Sequence, residues 1–463
     1  MTTFDHRDRG TDEAVWEAAG VNRTAGTAGI ATPFDLTGFT GLVVVAAHPD
    51  DESLMCGGLL ALAGAKGMHV EVLVATDGEA SHPDSPTHTP ERLASLRRHE
   101  CSSAVAELAP RARLRFLGLG DGRTAEHGDT LTAEVVRAVT GAGAAGCLLV
   151  STWRGDGHPD HRAVALATSA AAWRTDTVHL EAPLWFWHWG RPEDLPALSG
   201  DGRAVSLSLD PRARDAKRSA VARHRSQVEP LGPEPGNEAL LSASVLRHFS
   251  RGVEIFVETP PDRRSAFDGL HRGTPDPWST RTSWYEQRKR ALTLAALPDA
   301  HTGTVLEIGC SVGTLAADLA GRCDRVIAVD DSTAALTRAR RAVDDPRVSF
   351  RQCMVPEQWP AGDAGGPLRP DVVVLSETGY FLSPGRMRAL ARRIRDSDAG
   401  AVLACHWRHP VEGWPLDAAD VHAVLAGTLT QPESLRVRDR DFEIVLWRHG
   451  ADGADGTDGG ARR

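Results

Sequence analysis

Two clusters of the same residue types stand out: His48-Pro49-Asp50-Asp51-Glu52 and His158-Pro159-Asp160-His161. Each follows an apolar run, Leu42–Ala47 in one case and Cys147–Val150 in the other, so each lies where a buried strand ends and a loop begins. Open α/β sheets bind ligands at the carboxyl ends of such strands. Proline after histidine keeps the chain extended at the turn and aims the preceding side chain. Hydrolytic zinc sites combine three nitrogen or oxygen ligands with an open position. His48, His161 and either Asp50 or Asp51 supply such a set. The remaining aspartate is then a general base for water acidified by the metal, and His158 an oxyanion stabiliser or leaving-group acid.

A second constellation lies far downstream. Val305-Leu306-Glu307-Ile308-Gly309-Cys310-Ser311-Val312-Gly313 reads as a strand turning into a helix through glycines. Glycine there permits close backbone approach by a cofactor. An acid about 20 residues further on should meet a ribose, and Asp330 is in place. Glu307-x-Gly-x-x-x-Gly resembles the S-adenosylmethionine signature of class I methyltransferases, with Ser311 where many members carry glycine.

These motifs carry two family resemblances. Ala47–Glu52 with His158–His161 resembles the PIG-L/LmbE zinc-dependent N-deacetylases, over roughly residues 41–258. That resemblance implies His48, Asp51 and His161 as zinc ligands, Asp50 as the base and His158 as the transition-state stabiliser. It extends to Arg97 and Glu100, to Gly120-Asp121-Gly122 and to Arg223–Gln227, expected near the sugar or in structural roles. Asp276-Pro277-Trp278, Ser283–Lys289, Leu375–Phe381 and Cys405–Arg408 resemble the nodulation protein S family, which N-methylates an amino sugar. This implies cofactor contacts at Tyr285, Glu307, Gly309, Gly313, Asp330 and around Gln352-Cys353, with Glu377, Tyr380 and His406 facing the acceptor.

Joined in one chain, the resemblances imply a bifunctional enzyme that uses Zn2+ and S-adenosyl-L-methionine. It would deacetylate an N-acetylated amino sugar or glycoside and then methylate the freed amine, with Glu377 holding the amine and taking its proton. The rivals are a methyltransferase acting on oxygen or an unrelated acceptor, and one domain serving as a non-catalytic module.

Bulk properties agree with a globular enzyme. The chain has 463 residues, enough for two or three domains, and 41% hydrophobic content. A net charge of −10 argues against a nucleic-acid surface, which needs clustered Lys and Arg. The seven cysteines are dispersed, with no Cys-x-x-Cys pair, as in reduced cytoplasmic proteins. Met1–Arg9 is polar and no segment has bilayer-spanning length, so the expectation is a cytoplasmic protein without a membrane partner.

Strand and helix patterns alternate along the chain, which predicts an α/β protein: two tandem Rossmann-like three-layer domains with mainly parallel sheets. Residues 1–40 read as an extension without strong periodicity, 41–260 as the deacetylase-like domain and 261–275 as a Pro-rich linker. Residues 276–450 read as the methyltransferase domain and 451–463 as a disordered Gly/Asp/Ala tail. Trp185-Phe186-Trp187-His188-Trp189 reads as another strand end, either stacking on a sugar face or closing the core.

Overall fold

In the computed structural model the chain divides into two compact units, Met1–Asp262 and Arg263–Arg463. The structure describes residues 9–21, 31–198, 202–259, 266–362 and 365–449; the tail 451–463 lies outside them, as does much of the N-terminal extension. Both units are α/β, each a mainly parallel sheet between helical layers.

The first unit holds β1 (Thr32–Phe34), β2 (Gly41–Ala46), β3 (His69–Val74), β4 (Arg113–Phe116), β5 (Cys147–Thr152), β6 (Val178–Ala182), β7 (Arg203–Ser208) and β8 (Val253–Glu258). Their order is β1-β7-β8-β6-β5-β2-β3-β4, parallel except for β8 against β6 and β7. Residues of β2 are buried on both faces. Leu42, Val44 and Ala46 join the core beneath the helix Asp51–Ala65, while Val43 and Val45 join the core beneath the helix Pro159–Thr175. A strand covered on both sides needs a continuous apolar run, which is what the sequence supplies. The chain leaves β2 toward β3 and leaves β5 toward β6, in opposite directions across the sheet. The two His-Pro-Asp clusters therefore flank a topological switch point, where a crevice opens.

The second unit holds β9 (Thr302–Ile308), β10 (Cys323–Asp330), β11 (Val348–Gln352), β12 (Val372–Ser376), β13 (Ala401–Trp407), β14 (Glu433–Arg438) and β15 (Phe442–Arg448). The order is β11-β10-β9-β12-β13-β15-β14, with β15 antiparallel to both neighbours. Its switch point lies between β9 and β12. The helix Thr314–Leu319 packs in the core on one face and Pro384–Asp396 in the core on the other.

Part of the 1–40 extension is folded: Asp12 caps a helix Glu13–Ala18, whose Trp16 is fully buried, and Thr32–Phe34 pairs with β7. Two expectations are corrected. The 261–275 segment is not merely a linker, because Ala266–Gly273 is helical and its prolines flank the helix rather than interrupt it. Trp185–Trp189 is not a strand end. Asp156 Oδ1 accepts the backbone N–H groups of Leu184 (3.1 Å) and Phe186 (2.9 Å), which starts a helical turn over Phe186–Trp189. Phe186 and Trp187 are buried in the core. Among the described residues no helix is long and apolar enough to cross a membrane.

One interior ion pair shapes the helix that carries the first cluster. Cys56 departs from helical geometry (φ −144°, ψ 26°), leaving a kink followed by Gly57 and Gly58. A Cβ on Gly58 would lie 2.5 Å from the Leu209 side chain, so the close approach requires glycine. Glu254 on β8 accepts the freed N–H groups of Gly58 (2.8 Å) and Leu59 (2.9 Å), and the buried Lys217 ammonium binds the same carboxylate at 2.7 Å. Glu254→Ala should cost about 3–5 kcal/mol, because it strands a buried ammonium and two backbone donors. Calorimetry should show this as a lowered unfolding temperature for the first unit, whereas an unchanged transition would show that the kink closes without Glu254.

Candidate active sites

In the first unit, the backbone turns at the end of β2 around one carboxylate. Asp51 Oδ2 accepts the N–H groups of Ala47 (3.0 Å) and His48 (2.8 Å). This fixes Asp51 with His48 Nδ1 at 3.6 Å and His161 Nε2 at 3.4 Å. Two ligands on a tetrahedral zinc, each about 2.1 Å away, stand about 3.4 Å apart. His48 lies against Asp51 Oδ2 and His161 against Asp51 Oδ1, so both imidazoles stand at about that distance from one carboxylate group, on different oxygens. Both histidines hold a carboxylate on their other nitrogen. His161 Nδ1 meets Asp156 Oδ2 at 2.7 Å, and His48 Nε2 meets Asp160 (3.2 Å) and Asp121 (3.1 Å). Carboxylates in that position set the tautomer and orientation of metal-binding imidazoles.

The electrostatics also call for a cation. Burial alone would lower the pKa values of both histidines. Instead Asp121, Asp160 and Asp51 hold His48 well above its ordinary value, and Asp51 with Asp156 raises His161 to about 9. Asp51 is held well below the usual carboxylate range by His161 and His48, against its own burial. Donor atoms of His48, His158 and His161 also converge. However, His158 Nδ1 accepts the Asp160 N–H at 3.2 Å, which leaves the neutral ring its proton on Nε2. Burial, with His161 and His48 nearby, lowers the His158 pKa to about 3. His158 is accordingly a neutral imidazole among these converging donors.

Asp50 sits at φ 138°, a left-handed conformation that costs a non-glycine residue about 1–3 kcal/mol. The strain is held from both sides. Arg97 donates to Asp50 Oδ2 (3.1 Å), Pro49 O (2.7 Å) and Gly78 O (2.9 Å), and Glu52 accepts the Asp50 N–H at 3.0 Å. Burial pushes the Asp50 carboxyl up to about 6, against the pull of Arg97. Glu100 accepts the N–H and hydroxyl of Ser226, and Glu52 meets His224 at 3.0 Å. His224 and Ser226 therefore tie this stretch to Glu52 of the first cluster and to Glu100 of the helix Pro90–Leu108.

In the second unit, Gly309 (φ 77°) and Gly313 (φ 78°) form the turn after β9, and the N–H groups of Gly309 and Cys310 bond to Val329 O. A Cβ on Gly309 would lie 2.0 Å from Thr378 Oγ1, and one on Gly313 2.7 Å from Phe350. Ser311 between them also adopts positive φ (50°). Asp330 accepts the N–H groups of Ser311 and Ser332, both at 2.9 Å, and burial raises it to about 6. Each carboxylate oxygen keeps a lone pair for a further donor. Glu307 is 2% exposed with an unpartnered Oε2, and burial raises it to about 8. The tight glycine turn, the two acids and the orphaned oxygen fit a bound nucleoside carrying hydroxyl and ammonium donors.

Across the turn, Thr378 Oγ1 donates to Ile308 O at 3.1 Å, which brings Glu377 (φ 56°) to the crevice. Glu377 accepts the Tyr380 hydroxyl, and its Oε1 lies 3.1 Å from Lys289 Nζ. Tyr285 packs edge-on to Trp407 and Phe442, and its hydroxyl is buried without a partner. Gln352 is exposed and donates to Asp331 O. His406 is fully buried. Its Nε2 accepts the Gly379 N–H at 3.1 Å and its Nδ1 meets His422 at 3.0 Å. The expectation that His406 faces the acceptor is therefore not met: both its nitrogens serve the turn that carries Glu377.

Two family models match the chain: GlcNAc-PI de-N-acetylase (PIG-L) over residues 43–172 and Nodulation protein S (NodS) over 270–396. The 1D-myo-inositol 2-acetamido-2-deoxy-alpha-D-glucopyranoside deacetylase of Rhodococcus opacus is 31% identical over 250 residues, covering 42% of this chain and 84% of that protein. The chain belongs to the PIG-L deacetylases, joined in one polypeptide to a NodS-like methyltransferase domain. Nodulation protein S of Rhizobium tropici is 28% identical over 219 residues, covering 42% of this chain and 87% of that one. The N-methyltransferase NodS of Bradyrhizobium japonicum WM9, solved with S-adenosyl-L-homocysteine, is 22% identical, with a TM-score of 0.35, covering 40% of this chain and 97% of that structure.

In the PIG-L domain, the structure gathers His48, Asp50, Asp51, His158 and His161 around one crevice. In the NodS-like domain, it gathers Glu307, Gly309, Gly313, Asp330 and Glu377 around another. Asp156 escaped the motif reading, and Glu286 and Lys289 were read only as motif positions with no role. Asp156 stands two residues before His158, in a loop read only for its histidines. Lys289 lay within a quoted motif, but its partner Glu377 is remote in sequence. Asp156→Ala should weaken zinc binding by about 10–100-fold, since His161 would lose the group that orients it. Competition against a chromophoric chelator measures this, and unchanged affinity would mean that packing alone orients the ring.

Proposed function

We propose that this enzyme deacetylates an N-acetylated amino-sugar glycoside at the PIG-L site and N-methylates the freed amine at the NodS-like site. The observation that carries the reading is the pairing in one chain of a metal-competent His/Asp cage with a methyltransferase domain whose crevice presents a carboxylate. Amide hydrolysis makes a primary amine, and a primary amine beside a carboxylate is a methyl acceptor. The inositol glycoside named for the Rhodococcus relative supports the first half, and the match to the nodulation protein S family supports the second.

His48, Asp51 and His161 would hold zinc, which supplies Lewis-acid chemistry that acidifies water and polarises an amide carbonyl. Asp50, poised at about 6, takes the proton of the attacking water as the new C–O bond forms. His158 Nε2–H donates to the carbonyl oxygen as it gains charge. Asp50 then delivers the proton to the leaving nitrogen as the C–N bond breaks, giving acetate and the amine. In the second crevice, Glu307, Asp330 and the Gly309–Gly313 turn would hold S-adenosylmethionine, which supplies an electrophilic methyl group. Glu377 holds the amine and accepts its proton, so that the nitrogen lone pair is free.

His158→Ala should lower kcat for deacetylation by about 10²–10³-fold with metal content unchanged, the cost of one oxyanion donor. Metal loss on that substitution would instead make His158 a ligand. The reaction order is tested by incubating the full chain with N-acetylglucosaminides, zinc and S-adenosylmethionine and following mass. The expected sequence is loss of acetyl and then gain of methyl on nitrogen. Methylation of the still-acetylated glycoside, or of a hydroxyl, would overturn it.

A further inference from the structure

Resting on the N-methylation reading, we propose that Glu286, Lys289 and Glu377 form the subsite for the acceptor's primary ammonium group, with Lys289 as the resident cation that this ammonium joins. Lys289 is 3% exposed and projects from the helix Trp284–Ala295. Its Nζ donates to Glu286 Oε1 at 2.8 Å and lies 3.1 Å from Glu377 Oε1. Two half-buried carboxylates thus share one buried ammonium, and among the described residues no second cation is paired with them. Buried charge is retained only with a partner, so the site is built to receive a second cation.

The surrounding atoms point the same way. The Tyr285 hydroxyl, which faces Glu377, is buried without a hydrogen-bond partner. An ammonium brings three donors, and this orphaned oxygen is an acceptor. Lys289 also lies over the Tyr285 ring at 5.0 Å, so an aromatic face that favours cations already lines the cluster. The cluster abuts the glycine turn through Thr378, which places it in the crevice between β9 and β12.

The arrangement explains how the amine loses its proton. The groups facing Glu377 are Lys289, Glu286, Tyr380, Tyr285 and Cys405. Burial raises the Glu377 pKa, and Lys289 is the largest influence in the other direction. The transfer is R–NH3+ with Glu377 carboxylate going to R–NH2 with Glu377 carboxylic acid, and Lys289 stays charged throughout. A sugar ammonium is less basic than lysine, because its neighbours are electron-withdrawing oxygens, so it is the cation that yields the proton.

The test uses the full chain, S-adenosylmethionine and a panel of free amines from methylammonium to p-nitrophenyl glucosaminide, with p-nitrophenyl glucoside as the hydroxyl control. Glu286→Gln should raise acceptor KM at least about tenfold, the worth of one charge-assisted hydrogen bond, while S-adenosylhomocysteine still stabilises the protein to heat. Lys289→Met should move the acidic limb of kcat/KM to higher pH, because Glu377 then keeps its proton longer, and Lys289→Arg should restore the limb. If the wild type methylates an amine but both variants keep its acceptor KM and pH profile, the cluster is only structural and the proposal falls. Loss of the S-adenosylhomocysteine shift with either substitution overturns the proposal equally, because the cluster would then be holding the domain together. If the wild type methylates the glucoside and no amine, the N-methylation reading itself falls and takes this one with it.

Discussion

The first unit depends on one carboxylate held by the backbone. Asp51 turns back to accept the N–H groups of Ala47 and His48, so the end of β2 and the start of the following helix close around a charge. Everything else in the cage is arranged about that charge. Without a cation the histidines are driven to take protons, which is a buried group of acids making its own counter-ion. Zinc is a better counter-ion, being doubly charged and able to meet three donors at once. The cage is therefore poised toward metal before any metal arrives, and Asp156, Asp160 and Asp121 stop the two rings from turning away.

Sheet topology decides where such a cage can be built. In both units, neighbouring parallel strands send their chains in opposite directions, and the crevice that results is walled by two loops from distant parts of the sequence. In the first unit those loops carry the two His-Pro-Asp clusters. In the second they carry the glycine turn and the Glu377 turn. Buried polar groups behind each crevice then fix the loops. Glu254 with Lys217 holds the kinked helix after β2, and the His406–His422–Glu443 chain holds the N–H of Gly379. These groups perform no chemistry, yet a small displacement of either turn would misplace the residues that do.

How much of this was legible follows from where the information lies. The strand ends before His48, His158 and Gly309 could be read because apolar runs and loop chemistry are adjacent in sequence. The role of Asp156 could not, because it is set by the N–H groups of Leu184 and Phe186 beyond a later strand. The same contact turns the aromatic run 185–189 into a helix, although its bulky residues look like a strand. Asp121 was placed near the sugar by its glycine neighbours, but its bond to His48 depends on how β4 and β2 are spaced across β3. Local pattern specifies local structure; long-range hydrogen bonds decide which acids become partners of which histidines.

The two sites face opposite proton problems and meet them in the same way. In the proposed reaction sequence the first must give a proton to a departing nitrogen, and the second must take one from an arriving nitrogen. Each presents a carboxylate at a positive-φ position at a strand end, Asp50 in one and Glu377 in the other. Burial raises the pKa of both, and a buried cation, Arg97 or Lys289, pulls it back. Burial and the cation oppose each other at both carboxylates, and the balance leaves Asp50 at about 6, within reach of proton exchange. The difference between the sites is what else is present: a His/Asp cage that would acidify water in the first, and in the second a pair of carboxylates around one ammonium, which on the proposed reaction sequence receives the amine that deacetylation frees.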